Sequence, residues 1–95
     1  MATLIKIDGT TQEVFPQDKK RGFTLKELYA LVGGNCRLIE APGPFNDGRL
    51  MIMDEEGKLN GQQLNVEASR KFLEELGYPE MIMGNVIMVD DKEFQ

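Results

Sequence analysis

The 95 residues contain no histidine and no tryptophan, one cysteine (Cys36) and one serine (Ser69). Without imidazole there is no Ser-His or Cys-His nucleophile pair and no histidine-ligated metal. A lone cysteine closes no internal disulfide, which with six methionines fits a reducing cytosol. Cys36 itself reads as a small buried hydrophobe. Ser69 stands between Ala68 and Arg70 in a helical stretch, where a hydroxyl ordinarily bonds a backbone carbonyl or faces water. No apolar run approaches the ~20 residues of a membrane span, and residues 1–5 lack the basic segment and long apolar stretch of a signal peptide. No glycine loop has the Walker spacing. Gly33-Gly34 follows a helix, whereas phosphate cradles precede one.

Positive charge is also scarce. The net charge of −5 argues against a nucleic-acid partner, because duplex affinity rests on Lys and Arg neutralising phosphates. The one basic run, Lys19-Lys20-Arg21, leads into Gly22 and reads as a solvated turn. Acidic residues select no metal or catalytic pair. Asp54, Glu55, Glu56 and Asn60 loosely suggest a calcium loop. However, Gly57 falls at loop position four, Lys58 takes a ligand position, and Asn65 stands where a bidentate Glu belongs. The chain therefore reads as a non-enzymatic protein with neither cofactor nor metal.

What is present reads as one α+β domain over 1–95, with the element order β-β-α-β-β-α-β: two amphipathic helices packed on a mostly antiparallel sheet of about five strands. Residues 3–15 form a β-hairpin if Asp8-Gly9 makes a two-residue type I′ turn. That register sets Ile7 opposite Thr10, Ile5 opposite Gln12 and Thr3 opposite Val14. Thr24 and Glu27 are spaced for a capping box, and Phe23 and Leu28 for a hydrophobic staple. Leu25, Leu28, Tyr29 and Val32 mark the buried face of the first helix, which Gly33 stops. Strands are expected at 36–40 and 49–53, separated by Pro- and Gly-rich turn chemistry. Asn65 caps a second helix over 66–76 that buries Ala68, Phe72, Leu73 and Leu76, with Glu67 and Lys71 paired at i, i+4. The last strand, 85–89, is apolar without alternation, so it belongs at the sheet centre, buried on both faces. Residues 91–95 are a polar tail.

The residues able to bind something polar cluster at 58–65, where Asn60, Gln62, Gln63 and Asn65 supply amides and Lys58 supplies charge, with Arg70 following about one helical turn later. The more ordinary reading of the same stretch is a loop that satisfies its own backbone and caps the next helix. Met51, Met53, Met81, Met83 and Met88 suit either core filling or an adaptable interface.

Leu28-Tyr29-Ala30-Leu31-Val32-Gly33-Gly34 precedes a strand, and Asp54-Glu55-Glu56-Gly57-Lys58-Leu59-Asn60-Gly61 precedes the helix opened by Asn65. Met83-Gly84-Asn85-Val86-Ile87-Met88-Val89 then follows. This motif order resembles a small phage and plasmid family known only as a domain of unknown function. The likeness covers about 24–90, with the hairpin a looser fit. It carries no activity and no catalytic residues. It implies a setting, accessory proteins of mobile elements in the bacterial cytoplasm, where non-enzymatic proteins counter host defence. The expected function is sequestration of a small nucleotide-derived signal; the alternative is a protein-interaction module acting on a host defence protein. In the first case Arg37, Lys58 and Arg70 take phosphate while Asn60, Gln62 and Asn65 read sugar or base edges. A 95-residue monomer has little room for a pocket of ~300–1,000 Å³, so a homo-oligomer with a shared pocket is expected.

Overall fold

A computed structural model describes residues 2–33, 38–40, 44–54 and 61–90. In chain order the elements are β1 (Ala2–Ile5), β2 (Thr11–Val14), α1 (Leu25–Val32), β3 (Leu38–Glu40), β4 (Leu50–Asp54), α2 (Val66–Leu76) and β5 (Val86–Val89). The strands lie in the order β2-β1-β5-β4-β3, and each of the four pairings is antiparallel. The class is α+β, with two helices on an antiparallel sheet.

One helix covers each face. Ala2, Leu4, Val14, Ile52, Ile87 and Val89 pack with Phe23, Leu28 and Val32 of the α1 side. The alternate strand residues, Ile5, Met51, Met53, Val86 and Met88, pack with Ala68 and Phe72 of α2. Because successive strand side chains point to opposite faces, these two sets are the two sides of one sheet. That is why β5 is apolar without alternation: it sits in the middle, and all four of its residues are buried.

The hairpin differs from the two-residue turn expected of Asp8-Gly9. The observed pairs are Ala2↔Val14, Thr3↔Glu13, Leu4↔Gln12 and Ile5↔Thr11, one residue away from the expected register. Gly9 N–H donates to the Lys6 carbonyl at 3.0 Å, and Lys6 N–H donates to the Thr10 carbonyl at 2.9 Å. With Gly9 at φ +88, this is a three-residue loop, a type I turn closed by a left-handed glycine. Asp8 favours it by accepting from the Thr10 N–H at 2.9 Å and the Thr10 hydroxyl at 2.6 Å. The slip moves whole side-chain sets across the sheet. Leu4 and Gln12 face α1, Ile5 and Thr11 face α2, and Ile7 is left exposed.

α1 carries its capping box. Glu27 N–H donates to Thr24 Oγ1, and the Glu27 carboxylate accepts from Thr24 N–H, each at 3.1 Å. Phe23 and Leu28 are buried in one cluster, as a staple requires. Leu25, at the first helical position and expected on the buried face, is exposed. β3 is described over Leu38–Glu40, and Cys36 and Arg37, at the expected start of that strand, lie outside the described residues.

α2 is tied down by two polar side chains. Asn65 caps it by accepting from Ala68 N–H at 3.0 Å, and Asn65 Nδ2 donates to the carbonyls of Ile5 at 3.0 Å and Gly84 at 2.9 Å. Ser69 Oγ donates to the Asn65 carbonyl at 2.8 Å and accepts from Ile82 N–H at 2.9 Å. Thus the helix start is held to the end of β1 and to the segment entering β5. Leu73, expected to be buried, is half exposed, and the core contact is made by Ala68, Phe72 and the partly buried Leu76.

Candidate functional site

Three of the six residues expected to hold a ligand, Arg37, Lys58 and Asn60, lie outside the described residues. The other three do not converge. Asn65 has no exposed surface, and its side-chain oxygen and both amide hydrogens are engaged within the fold, so it is not open to a ligand. Gln62 donates from Nε2 to Asp54 Oδ2 at 2.6 Å, and its Oε1 occupies the space a Cβ on Gly84 would need. The amides at 62 and 65 therefore serve the fold: one covers the buried Asp54 carboxylate and the other clamps the helix.

Arg70 alone opens on a cleft, of about 350 Å³, between α2 and the β1–β2 end of the sheet. Arg49 and Lys71 share that cleft, with the hydroxyl residues Thr3 and Thr11 on its sheet wall. No local motif announces this grouping, since its members come from β1, β2, the turn before β4 and α2.

The charges in the cleft neutralise one another. Arg70 Nη1 donates to Glu74 Oε1 at 2.7 Å and its Nη2 pairs with Glu67 Oε1. Hydrogen bonds to Glu67 and then to Glu74 raise the guanidinium above its ordinary value, and the Arg70 bond holds the Glu67 carboxyl below its own. Lys71 bonds Glu75 instead of the expected Glu67, because Arg70 occupies that carboxylate. Arg49 Nε donates to Asp47 Oδ2 at 2.7 Å and its Nη1 donates to Thr3 Oγ1 at 2.9 Å. Burial raises the carboxyls of Glu75 and Asp47, but for Glu75 the Lys71 and Asn46 N–H bonds outweigh it. For Asp47 the backbone and side-chain bonds of Arg49 do the same, so both lie below their ordinary values.

The electrostatics predict a one-sided pH dependence. A carboxyl with a depressed folded-state pKa contributes stability above its unfolded value, and that contribution is lost as pH falls through the folded value. Asp8, Glu27, Asp47, Glu67 and Glu75 are all depressed from reference values of 3.8 for Asp and 4.5 for Glu. With no histidine to titrate, the melting temperature is expected to be flat from about pH 8 to 6 and to fall steadily below about pH 4.5. Differential scanning calorimetry across pH 8 to 3 measures this; a step near pH 6.5 would contradict it.

Beside the cleft lies a surface of a different kind. Val66 is 65% exposed, Met81 59%, Leu73 48% and Tyr78 42%. Val66 and Leu73 are seven residues apart and so share one side of α2, with Ser69 and Arg70 between them. The Ile82 N–H bond to Ser69, one turn from each, lays the 78–82 segment along that side. Tyr78 is held there by an edge-to-face contact with Phe72, ring centroids 5.1 Å apart. Met51, Met53 and Met88 are core residues, while Met81 faces out. Among the described residues, no group of three His, Cys, Asp or Glu side chains could hold a metal ion. None of the described helices is long and apolar enough to cross a membrane.

The chain belongs to the family described as Domain of unknown function (DUF3846), whose model matches residues 2–95. No curated protein and no solved structure matches it.

Proposed function

We propose that this family member works by occupancy: a non-enzymatic accessory protein of a mobile element that, in the bacterial cytoplasm, holds a host defence protein. The observation that carries this reading is the set of exposed apolar side chains Val66, Leu73, Tyr78 and Met81, beside a cluster in which Arg70 and Lys71 are already paired with carboxylates. Contiguous exposed apolar side chains with a polar rim are the usual mark of a protein interface. Burying such a side chain from full exposure is worth roughly 1.5–3 kcal/mol, and these are 42–65% exposed, so about half of that remains for each at the centre of a standard interface of ~800 Å² per partner. The partner's matching face is then apolar at its middle and polar at its rim.

The test is co-purification from host lysate with the wild type and with Val66→Asp/Leu73→Gln. Aspartate at the first helical position suits the helix dipole, so the fold is expected to survive, as far-UV circular dichroism would show. A stoichiometric partner retained by the wild type and weakened at least tenfold by the double variant supports the reading. An equally retained partner, or none at all, ends it.

One observation favours a second reading, sequestration of a nucleotide-derived signal. Arg49, Arg70 and Lys71 share a cleft of about 350 Å³, within the size range of small-ligand sites. A phosphate there must displace carboxylates from pairs that are mostly solvent-exposed, and exposed pairs are worth only about 0–1 kcal/mol each. Arg37, Lys58 and Asn60 could extend such a site, across subunits if the protein is a homo-oligomer. Calorimetric titration with cyclic dinucleotides, cyclic trinucleotides and ADP-ribose derivatives distinguishes the two. Binding that is lost in Arg70→Ala establishes this second reading, and absence of heat removes it.

A further inference from the structure

A second unpartnered feature lies on the opposite side of the sheet. Among the described residues β2 pairs with β1 alone and forms one edge of the sheet. In an antiparallel ladder the residues facing each other alternate between hydrogen-bonded and non-bonded pairs. The Lys6 N–H bond to the Thr10 carbonyl sets the phase: Gln12 and Val14 bond inward to β1, and Thr11 and Glu13 turn their N–H and C=O groups outward. Both residues are exposed. A strand laid along this edge would find two donors and two acceptors at the spacing of a β-ladder.

Beside the same edge runs a groove of about 460 Å³ between β2 and α1. Val14, Phe15, Phe23, Ala30 and Leu31 give it an apolar lining, and Phe15 is 58% exposed. Glu27 is the carboxylate of this groove: Glu13 lines it through the strand edge while its side chain, like that of Thr11, points to the other face of the sheet. No Lys or Arg lines the groove, and Lys19 stands 5.8 Å from the Phe15 ring centroid. Bonds from the Gln17 and Thr24 backbone N–H groups hold Glu27 below its ordinary value, so it stays charged at neutral pH. A free edge selects an extended occupant, the lining selects an apolar side chain, and the Glu27 carboxylate selects a basic one.

We propose that the β2 edge and the β2–α1 groove bind an extended peptide segment of a partner protein, as an added strand bearing a basic and an apolar side chain two residues apart. Side chains at i and i+2 of that strand share the groove face, so one meets Leu31 and Phe15 while the other meets Glu27. The four residues of β2 are a short edge, which keeps the contact weak and reversible. This site is independent of the α2 surface, and neither requires the other.

The probe is the peptide acetyl-Thr-Val-Thr-Lys-Thr-Val-Thr-amide, titrated into ¹⁵N-labelled full-length protein. Its Val and Lys side chains fall on one face. Saturable shifts and hydrogen-exchange protection at the Thr11 and Glu13 amides are expected. Replacing the peptide's Lys by Glu is expected to weaken binding at least tenfold, as is the exposed groove substitution Ala30→Lys. Val66→Asp/Leu73→Gln is expected to leave it unchanged, so this test and that of the α2 surface fail separately. Shifts elsewhere with none at β2, or equal binding of the Glu peptide, overturn the proposal. Protection of Thr11 and Glu13 that rises with protein concentration and without peptide also overturns it, in favour of edge pairing by a second copy.

Discussion

Asn65→Ala is expected to lower the unfolding free energy by about 3 kcal/mol, read from urea denaturation with an unchanged m-value. Loss of a helix N-cap costs ~1 kcal/mol. The same substitution strips the Gly84 carbonyl of this donor and removes one of the donors to the Ile5 carbonyl, which keeps its ladder bond opposite Val86; a buried group left unsatisfied adds roughly 1–3 kcal/mol, partly recovered if water enters. Asn65→Asp separates the parts. It keeps the acceptor for Ala68 N–H but offers no donor and sets a carboxylate against two carbonyls, so it should be at least as destabilising as alanine. A drop below about 1 kcal/mol for Asn65→Ala would show that the clamp is weaker than its geometry. A variant of wild-type stability that had lost only a binding activity would return Asn65 to a ligand role.

Phe72→Ala is expected to cost about 4 kcal/mol, in the usual range for removing a buried phenylalanine. The ring is 2% exposed and meets Phe45 edge-on at 6.3 Å and Tyr78 at 5.1 Å. Its loss therefore opens the α2-side core and removes the support of Tyr78 in the exposed apolar surface. Small domains have total stabilities of roughly 5–15 kcal/mol, so the variant should be measurably unfolded at physiological temperature. Phe72→Leu keeps most of the volume and should cost under ~1.5 kcal/mol. Near-equal stabilities for the two variants would mean that the α2 side collapses around the missing ring. In Phe72→Leu, weaker partner capture than in the wild type would tie Tyr78 to the interface.

What could be read from the residues follows from how local each signal is. The α1 cap, the span of α2 and the central burial of β5 rest on short-range rules, and the structure has all three. The hairpin register rests on a choice between turns: Asp8-Gly9 serves a two-residue loop or the end of a three-residue loop. Asp8 tips the choice by bonding Thr10. Helical spacing placed the buried stripe of each helix but not its width, so Leu25 and Leu73 turned out exposed. Glu67 and Glu75 both lie four residues from Lys71, and the neighbouring Arg70 decided between them. Asn65 shows the deeper difficulty. An asparagine before a helix has the same chemistry whether it caps the backbone or contacts a ligand, and only the carbonyls brought near by Ile5 and Gly84 distinguish the roles. The mixed-charge cleft and the β2–α1 groove are products of tertiary assembly and leave no signal in the spacing.

The position of β5 governs how the molecule is made. It lies between β1 and β4, joining the β1–β2 hairpin to the β3–β4 pair, yet it follows every other element in the chain. During translation both halves emerge from the ribosome with a missing neighbour, and the gap closes only once residues 86–89 are free. Until then the inner edges of β1 and β4, flanked by Leu4, Ile5, Met51 and Ile52, offer open backbone to any passing strand. A nascent chain stalled before Val86 should therefore be a strong substrate for chaperones.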